Sequence, residues 1–494
     1  MSRALRSIAA AASCLLAACG LVACGGGGGS GNSGGGSHTP SFTIGGSVSG
    51  LTGSGLVLMN NGADALTVAA NATSFTFTTA VASGAAYAVT IQTQPSGEQC
   101  TVVNGSGMAS GDITSVAVSC GNSVAVNVVP GPASAGSQTF NIPLTSVTVC
   151  VPNSSQCATI QDVLVDSGST GLRLMASVLK AAGLTLPTMS DPNTPGNTIH
   201  ECVQFADGYT WGAVATAGVV MGGEATGNPV SVQIIDDSAT PSPAAPTGLN
   251  GCVTGSSLNS VNAFDANGVL GIGVFDQDCG TDCTQGATHV YYSCSSSGSC
   301  APTNLALANQ VSNPVAAFAT DNDGVVLTLP AIPAAGQASA SGTLTFGVGT
   351  ESDNGLGNAT LLTADQYGNF ITNFGGQPYP DSLLDSGSNA LYFADSTLEQ
   401  SPCPQSSGGA QFYCPSATQD LSAENQGQNG STSPASFQIA DLAQISSSNF
   451  AINDVGGPMT AGYFDWGLPF FYGQSVFILL QNTVDGGTYG AYAY

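Results

Sequence analysis

The stretch Val163-Leu-Val-Asp-Ser-Gly-Ser-Thr-Gly-Leu172 decides the interpretation of this chain, because a second copy follows at Ser382-Leu-Leu-Asp-Ser-Gly-Ser-Asn-Ala-Leu391. Each copy is an apolar run that ends in Asp-Ser-Gly-Ser and then returns to apolar residues. This pattern predicts a buried strand that breaks into a tight turn, with a carboxylate at the break. One such turn is ordinary, since Asp-Ser-Gly is common turn chemistry. Two copies predict a two-lobed protein that brings Asp166 and Asp385 together.

The composition predicts a mostly β protein. Glycine is frequent, at 66 of 494 residues, and only 7% of the residues are charged. Short runs of Val, Thr, Ile and Phe are separated by Gly, Ser, Asn and Pro, as in proteins built from many short strands. The length allows two or three domains and a sizeable core.

The charge balance is strongly acidic, with four basic residues against 30 acidic ones and a formal net charge of −26. Two of the four basic residues lie in the N-terminal leader, which leaves Arg173 and Lys180. This balance excludes a basic nucleic-acid footprint and argues against charge-driven binding to anionic lipid. We therefore expect no nucleic-acid partner. Acid tolerance is one corollary, and a generally acidic secreted surface is the simpler alternative.

Residues 1–24 predict a secretory signal, because two arginines precede an apolar run and small residues before a cysteine. Leu21-Val-Ala-Cys24 resembles a bacterial lipobox, in which the cysteine is acylated, and Leu16-Ala-Ala-Cys19 also matches. We favour Cys24 for lipid attachment because a Gly/Ser-rich tether, residues 25–40, follows it. A cleaved soluble signal is the alternative. Export predicts an oxidising compartment, and lipidation predicts anchoring in the cell envelope, at the outer membrane on its periplasmic or surface side.

Of the 15 cysteines, three lie in the leader and twelve follow it, an even number. Connectivity cannot be derived from sequence alone. Pairing of sequence neighbours would give six loop-closing disulfides: Cys100–Cys120, Cys150–Cys157, Cys202–Cys252, Cys279–Cys283, Cys294–Cys300 and Cys403–Cys414. A metal site would need Cys-x-x-Cys pairs or histidine clusters, and the chain has only three histidines. The pattern therefore favours disulfides, with no metal and no other cofactor.

The pattern of strands and turns divides the exported chain into parts. Residues 41–121 predict a small β-sandwich domain of Ig-like type, because six or seven short strands follow at close spacing. It carries no catalytic constellation and is interpreted as a spacer or a surface-interaction module. Residues 122–135, which include Pro-Gly-Pro, predict a linker. Longer strands follow in two segments of similar length, residues 136–311 and 312–494.

From residue 136 onward the chain resembles pepsin-type aspartic peptidases, with six matches in the family's order. They are Ser146-Val-Thr-Val-Cys150 through Asp166, Cys202-Val-Gln-Phe-Ala-Asp-Gly-Tyr-Thr-Trp-Gly212, Asn267-Gly-Val-Leu-Gly-Ile-Gly273, Gly342-Thr-Leu-Thr-Phe-Gly347, Asp385-Ser-Gly-Ser388 and Trp466-Gly-Leu-Pro-Phe-Phe471. The resemblance implies a bilobal, pepsin-like double β-barrel after the sandwich, with residues 136–311 as the N-lobe and 312–494 as the C-lobe. With its leader and tether, the chain also looks like a family of uncharacterised bacterial lipoproteins.

The resemblance implies that Asp166 and Asp385 meet at the base of a cleft between the lobes and share one proton. Two carboxylates in contact cannot both ionise cheaply, so the pKa values of the pair split. One then acts as a base on water while the other, protonated, polarises the scissile carbonyl. The resemblance assigns support of this dyad to both turns, at Ser167, Gly168, Ser169, Ser386, Gly387 and Ser388. Both halves lie in one chain, so a monomer suffices.

Three positions depart from the family's pattern. Phe205 stands where the family has the flap tyrosine, and Tyr209 and Trp211 are the other flap candidates. Asp465 stands in the closing crossing where an apolar residue is expected. Arg173 follows the first turn closely, and a guanidinium near the dyad would lower the pKa values of its carboxylates.

These observations predict an exported, lipid-anchored aspartic endopeptidase that uses an Asp/Asp dyad to activate water. Its partners would be a peptide or protein substrate in the interlobe cleft and the membrane, through the lipid. The alternatives are a catalytically inactive pepsin-like protein that binds peptide or glycan, and a structural surface lipoprotein. The intact pair of Asp-Ser-Gly-Ser turns favours the enzyme, whereas Phe205 and Arg173 favour the binding protein.

Overall fold

The computed structural model describes residues 40–494, except residues 97, 99, 137–138, 248–251, 253–254, 287, 352–353 and 404–411. The predicted signal (1–24), its lipid-attachment site Cys24 and the tether up to residue 39 lie outside the described residues. The protein is mostly β, as its composition predicts, and it contains a closed six-stranded barrel and a half-barrel sheet.

The N-terminal part of the described chain consists of ten short strands. They are β1 (Ser41–Phe42), β2 (Ile44–Ser49), β3 (Val57–Asn60), β4 (Asp64–Thr67), β5 (Ser74–Thr76), β6 (Val81–Ala82), β7 (Ala86–Thr93), β8 (Cys100–Val103), β9 (Ser106–Met108) and β10 (Ile113–Cys120). Two sheets of four strands, in the orders β5-β2-β10-β8 and β4-β3-β7-β9, accompany the pair β1-β6. Alternating apolar residues from both sheets, such as Ile44, Leu58 and Val116, form one buried cluster. The burial of this cluster stabilises the two-sheet arrangement.

The larger part of the chain begins with a strand inside the predicted linker. The strands are β11 (Ser123–Val128), β12 (Pro143–Cys150), β13 (Cys157–Asp166), β14 (Thr170–Met175), β15 (Thr198–Gln204), β16 (Gly208–Met221), β17 (Glu224–Ala225), β18 (Val230–Ile235), β19 (Ser256–Ser257), β20 (Gly268–Ile272), β21 (Tyr291–Cys294), β22 (Cys300–Pro302) and β23 (Gly324–Thr328). The remaining strands are β24 (Ala340–Phe346), β25 (Leu361–Thr363), β26 (Phe370–Phe374), β27 (Gln377–Asp385), β28 (Leu391–Phe393), β29 (Gln419–Gln426), β30 (Thr432–Ile439), β31 (Gly456–Gly457), β32 (Tyr463–Gly467), β33 (Ser475–Leu479) and β34 (Ala491–Ala493).

Helices are few and short in the described chain. They are α1 (Ala176–Ala181), α2 (Val261–Phe264) and α3 (Asp282–Gln285), with 3-10 turns at Leu307–Asn309, Val315–Ala317, Leu398–Gln400, Leu442–Gln444 and Leu468–Phe471. No described helix is long and apolar enough to cross a membrane.

The linker predicted over residues 122–135 is partly a strand. Within it, β11 pairs over six residues with β24 and over two residues with β12, so it belongs to the 17-stranded sheet. Its alternating valines Val126 and Val128 are fully buried. The Pro-Gly-Pro that suggested a linker begins two residues after the last residue of this strand, at Pro130.

Two parallel pairings position the candidate site. In the 17-stranded sheet, β13 runs parallel to β20, and Asp166 lies opposite Gly271. In the seven-stranded sheet, β27 runs parallel to β32, and Asp385 lies opposite Gly467. Each aspartate is thus the last residue of its strand. The parallel strand paired with it, β20 in the first case and β32 in the second, is called the crossing strand below.

All six cysteine pairs of sequence neighbours lie at disulfide distance, which confirms the sequential pairing. Two of them close hairpins between consecutive strands, Cys150–Cys157 between β12 and β13 and Cys294–Cys300 between β21 and β22. Six disulfides indicate an extracytoplasmic, oxidising compartment.

Candidate active site

The two Asp-Ser-Gly-Ser turns are bonded to each other through buried serine hydroxyls. The N–H of Ser167 donates to Oγ of Ser386 at 3.0 Å, and the N–H of Ser386 donates to Oγ of Ser167 at 2.8 Å. Each hydroxyl then donates across the pair, Ser167 to the carbonyl of Leu384 and Ser386 to that of Val165, both at 2.8 Å. Because each hydroxyl makes two bonds to the opposite strand, the two turns are fixed back to back.

Each carboxylate also accepts two hydrogen bonds from its own turn, one from a glycine N–H to Oδ1 and one from a serine hydroxyl to Oδ2. The donors are Gly168 (2.9 Å) and Ser169 for Asp166, and Gly387 (2.9 Å) and Ser388 (2.8 Å) for Asp385. The second turn therefore repeats the first group by group, and all eight residues of the predicted dyad and its support are brought together.

The turn glycines are required by the close approach of the opposite carboxylate. A Cβ added to Gly168 would lie 2.5 Å from Cγ of Asp385, and one added to Gly387 would lie 2.6 Å from Oδ1 of Asp166. No side chain fits at such a separation. The two carboxyl groups thus lie against each other, and they share a side-chain hydrogen bond.

The environment of Asp166 favours its protonated form. Burial, followed by the neighbouring Asp385 carboxylate, raises the pKa of Asp166 from 3.8 to about 8, although the hydrogen bond from Ser169 opposes the shift. Asp166 is buried and Asp385 is half-buried. Asp166 therefore keeps its proton at pH values where an ordinary aspartate would ionise.

A cavity of about 490 Å³ opens above the two aspartates. Its walls include Phe205 and Asp207, at the tip of the hairpin formed by β15 and β16, and Phe264 of α2. The rings of Phe205 and Phe264 meet edge to face, with their centroids 5.4 Å apart. The hairpin tip thus forms part of the cavity wall and is joined to α2 by an aromatic contact.

Of the three flap candidates, only Phe205 lines the cavity. Trp211 is fully buried in the hairpin, opposite Cys202, and its indole N–H donates to the carbonyl of Pro243 at 2.8 Å. Tyr209 packs beside it, against the cluster that contains the Cys202–Cys252 disulfide. Both residues support the hairpin, and neither reaches the aspartates.

Arg173, which the sequence led us to expect near the dyad, is paired with two other acids. Its side chain is buried and forms ion pairs with Glu201 at 2.8 Å and with Asp278 at 3.2 Å. Arg173 is not among the main causes of the raised pKa of Asp166. Its Nη1 donates to the carbonyl of Thr170 at 2.6 Å, so the guanidinium holds the backbone just after the first turn.

Asp465 is a third carboxyl group at the site, and its role was not anticipated from the sequence. It lies on β32, lines the cavity, and places Oδ2 2.6 Å from Oγ of Ser388. Burial, then the charges of Asp385 and Asp166, raise the pKa of Asp465 well above its usual range, against the hydrogen bond from Ser388. The sequence signal was its charge in an otherwise apolar strand.

Within the part of the chain that the structure describes, no group of three or more His, Cys, Asp or Glu side chains is arranged to hold a metal ion. No curated protein matches the sequence. The family model described as "Protein of unknown function (DUF3443)" matches residues 118–494, which begin just before β11 and include both turns. The chain therefore belongs to the DUF3443 family.

Proposed function

We propose that this protein is an aspartic endopeptidase in which Asp166 and Asp385 activate a water molecule for peptide hydrolysis. The observation that carries the proposal is the cross-bonded pair of turns. It brings two carboxyl groups, distant in sequence, into one hydrogen-bonded pair under a cavity. Two carboxyl groups that share one proton provide a base and an acid in the same place.

In the proposed reaction, water binds between the two carboxyl groups. The ionised one takes a proton from the water as its oxygen attacks the peptide carbonyl carbon, and the protonated one gives its proton to the carbonyl oxygen. The C–N bond of the tetrahedral intermediate then breaks, and the leaving nitrogen takes a proton from the dyad. The gem-diol returns its proton as the new carboxylic acid forms, so that the dyad again holds one proton.

The charge of the cavity favours neutral or basic peptides. Five aspartates line it: Asp166, Asp207, Asp265, Asp385 and Asp465. Among the described residues that line it there is no lysine, arginine or histidine. An acidic peptide would therefore meet like charge without a compensating cation, whereas a lysine or arginine side chain would meet attraction.

The finer parts of the architecture belong to the same proposal. The equivalence of the two turns and of the two crossing strands supports a bilobal, pepsin-like arrangement with lobes at residues 136–311 and 312–494. The two four-stranded sheets of residues 41–121 support an Ig-like sandwich. The lipobox at Cys24, together with the disulfides, supports an exported lipoprotein tethered to the outer membrane.

A peptide-binding protein without catalysis is the second candidate. It is favoured by the apolar tip of the hairpin, where Phe205 offers no hydroxyl group to the site. A bound peptide would then occupy the same cavity, and its affinity rather than its cleavage would be the function.

Hydrolysis of a mixed peptide library between about pH 3 and pH 7 tests the proposal, with wild type compared with Asp166→Asn and Asp385→Asn. Both substitutions remove the acid–base pair, so we expect at least a 1,000-fold loss of rate, on the order of what general acid and base groups contribute. Asp454→Asn is the matched control, because Asp454 is also a buried aspartate of the second half but does not line the cavity. Cleavage by either dyad variant at the wild-type rate, or peptide binding without cleavage by wild type, would refute the proposal.

A further inference from the structure

Ser388 lies between two carboxyl groups, whereas its counterpart in the first turn, Ser169, donates a hydrogen bond to one, that of Asp166. The Ser388 hydroxyl lies 2.8 Å from Oδ2 of Asp385 and 2.6 Å from Oδ2 of Asp465. A serine hydroxyl has one proton to donate and two lone pairs to accept with. It can therefore serve only one of two ionised carboxylates, and the second short contact requires a proton on one of the acids.

The surroundings decide which acid carries that proton. Asp385 accepts from the N–H of Gly387 as well as from Ser388, so both of its oxygens have donors when it is ionised. Asp465 has no donor for Oδ1, which is buried and without a hydrogen-bond partner. An ionised oxygen in that position would carry the full cost of desolvation, so the proton belongs on Asp465.

Among the described residues, no cation near Asp465 changes this assignment. Asp385 lies on the neighbouring strand β27 and Asp166 lies across the dyad, and both repel a charge on Asp465. Tyr392 of β28 pairs with Asp465 and is neutral, because burial, then the charge of Asp465, raises its pKa. Asp207, at the tip of the hairpin, adds a further negative charge on this side of the cavity.

We propose that Asp465 is a protonated positioning residue that donates to Ser388 and thereby directs the Ser388 proton to Asp385. The chain of donors runs from Asp465 through Ser388 to the outer oxygen of Asp385. This inference rests on the proposed peptidase function for its catalytic consequence. When Asp465 loses its proton, the single proton of the Ser388 hydroxyl must be shared between two carboxylates. The hydrogen bond from Ser388 to Asp385 is then formed only part of the time. Activity therefore depends on the neutral form of Asp465 at the alkaline end of the pH range.

The experiment compares wild type with Asp465→Asn and Asp465→Leu. The amide of the asparagine donates to Ser388 and cannot ionise. We therefore expect Asp465→Asn to keep kcat within about threefold at about pH 5 and to shift the alkaline limb of the pH–rate profile upward. Leucine has a similar size and no donor, so Asp465→Leu should lose about tenfold in kcat, the equivalent of one hydrogen bond. An unshifted alkaline limb in Asp465→Asn, or equal kcat values for both variants, would overturn the proposal.

A second measurement needs no substrate. A buried aspartate with a raised pKa binds its proton more tightly in the folded state, so it stabilises below its unfolded pKa and loses that stabilisation as pH rises through its folded pKa. Above about pH 4, the unfolding equilibrium constant of wild type should therefore rise faster than that of Asp465→Asn, by up to about tenfold per pH unit. Equal pH dependence in the two proteins would show that Asp465 holds no proton and would overturn the inference.

The two measurements separate this inference from the proposed function. If wild type hydrolyses nothing, the peptidase proposal fails, and the unfolding comparison still decides whether Asp465 carries the proton. Asp454→Asn is again the control, because burial raises the pKa of Asp454 to about 6 at a site outside the cavity. It should change the pH dependence of unfolding and leave the pH–rate profile unchanged.

Discussion

The two halves of the site have the same backbone and different neighbours. In the first half, Leu164 pairs with Val269 on the crossing strand; in the second, Leu383 pairs with Asp465 at the corresponding position. The strands after the turns correspond too, since Arg173 pairs with Val269 and Tyr392 pairs with Asp465. Each half therefore holds one buried ionisable group where the other holds an uncharged side chain.

The two halves offset the desolvation cost of those buried groups in different ways. Arg173 keeps its charge and is compensated by Glu201 and Asp278, with the hydroxyl of Tyr291 donating to Asp278 at 2.5 Å. Asp465 has no cation beside it in the part of the chain that the structure describes, and it is compensated by a proton and by Ser388. The acids beside Arg173 balance its charge locally. Asp465, in contrast, stays linked to the dyad through Ser388. Two similar turns therefore differ in pH behaviour because a single neighbouring residue differs.

Among the substitutions that test how the two halves differ, Arg173→Met has the largest expected effect on the folding free energy. It leaves Glu201 and Asp278 buried without a cation, and breaking a buried ion pair in this way costs about 3–5 kcal/mol of folding free energy. Burial already raises the pKa of Glu201 and Arg173 opposes that shift. The variant therefore holds the Glu201 proton to higher pH, and its deficit should be smallest at about pH 4 and grow towards about pH 7. Denaturant unfolding at the two pH values measures this.

Lys180→Met is the matched control for Arg173→Met. Lys180 is the other cation in the described part of the chain, and it is exposed. Its loss should change the unfolding free energy by less than about 0.5 kcal/mol at either pH. If Arg173→Met were as mild as this control, the first half would not depend on its ion pairs.

The cross-bonded serines give the next largest effect and test whether the halves are equivalent. Ser167→Ala and Ser386→Ala each leave a buried N–H and a buried carbonyl without their partners. Each should lower the unfolding free energy by about 2–3 kcal/mol, and the two values should be similar. Calorimetry or denaturant unfolding gives both numbers. Ser436→Ala, at an exposed position on β30, should change little. A large difference between the two alanine variants would break the equivalence of the turns.

Features that depend on residues close together in the sequence could be predicted well. The mostly β content follows from short strands and frequent turn residues, and two of the sequential disulfides, Cys150–Cys157 and Cys294–Cys300, follow from cysteines that flank hairpins. Both Asp-Ser-Gly-Ser turns could be found because they repeat, and Phe205, one of the flap candidates, lines the cavity with the two aspartates. The strand in the predicted linker was missed because Pro-Gly-Pro is a stronger local signal than the short alternating Val-Ala-Val run before it.

The rest depends on contacts between distant segments. The contact of Asp465 with Ser388 follows from the parallel register of β27 and β32, which the sequence does not encode locally. The partners of Arg173 come from β15 and from the loop after β20, so its distance from the dyad could not be judged from its place after the turn. Trp211 and Tyr209 lie beyond the tip of the hairpin, and contacts with distant segments, at Pro243 and at the disulfide cluster, help to fix their position.

The central claim is that the two turns build one carboxyl pair that shares a proton. Carbon-13 NMR of aspartate carboxyls, followed by pH titration and assigned with Asp166→Asn, tests it most directly. We expect the Asp166 carboxyl to titrate at about pH 8 in wild type, and at lower pH in Asp385→Asn, where the like charge is removed. A midpoint near the ordinary aspartate value in wild type, or one that Asp385→Asn leaves unchanged, would contradict the account.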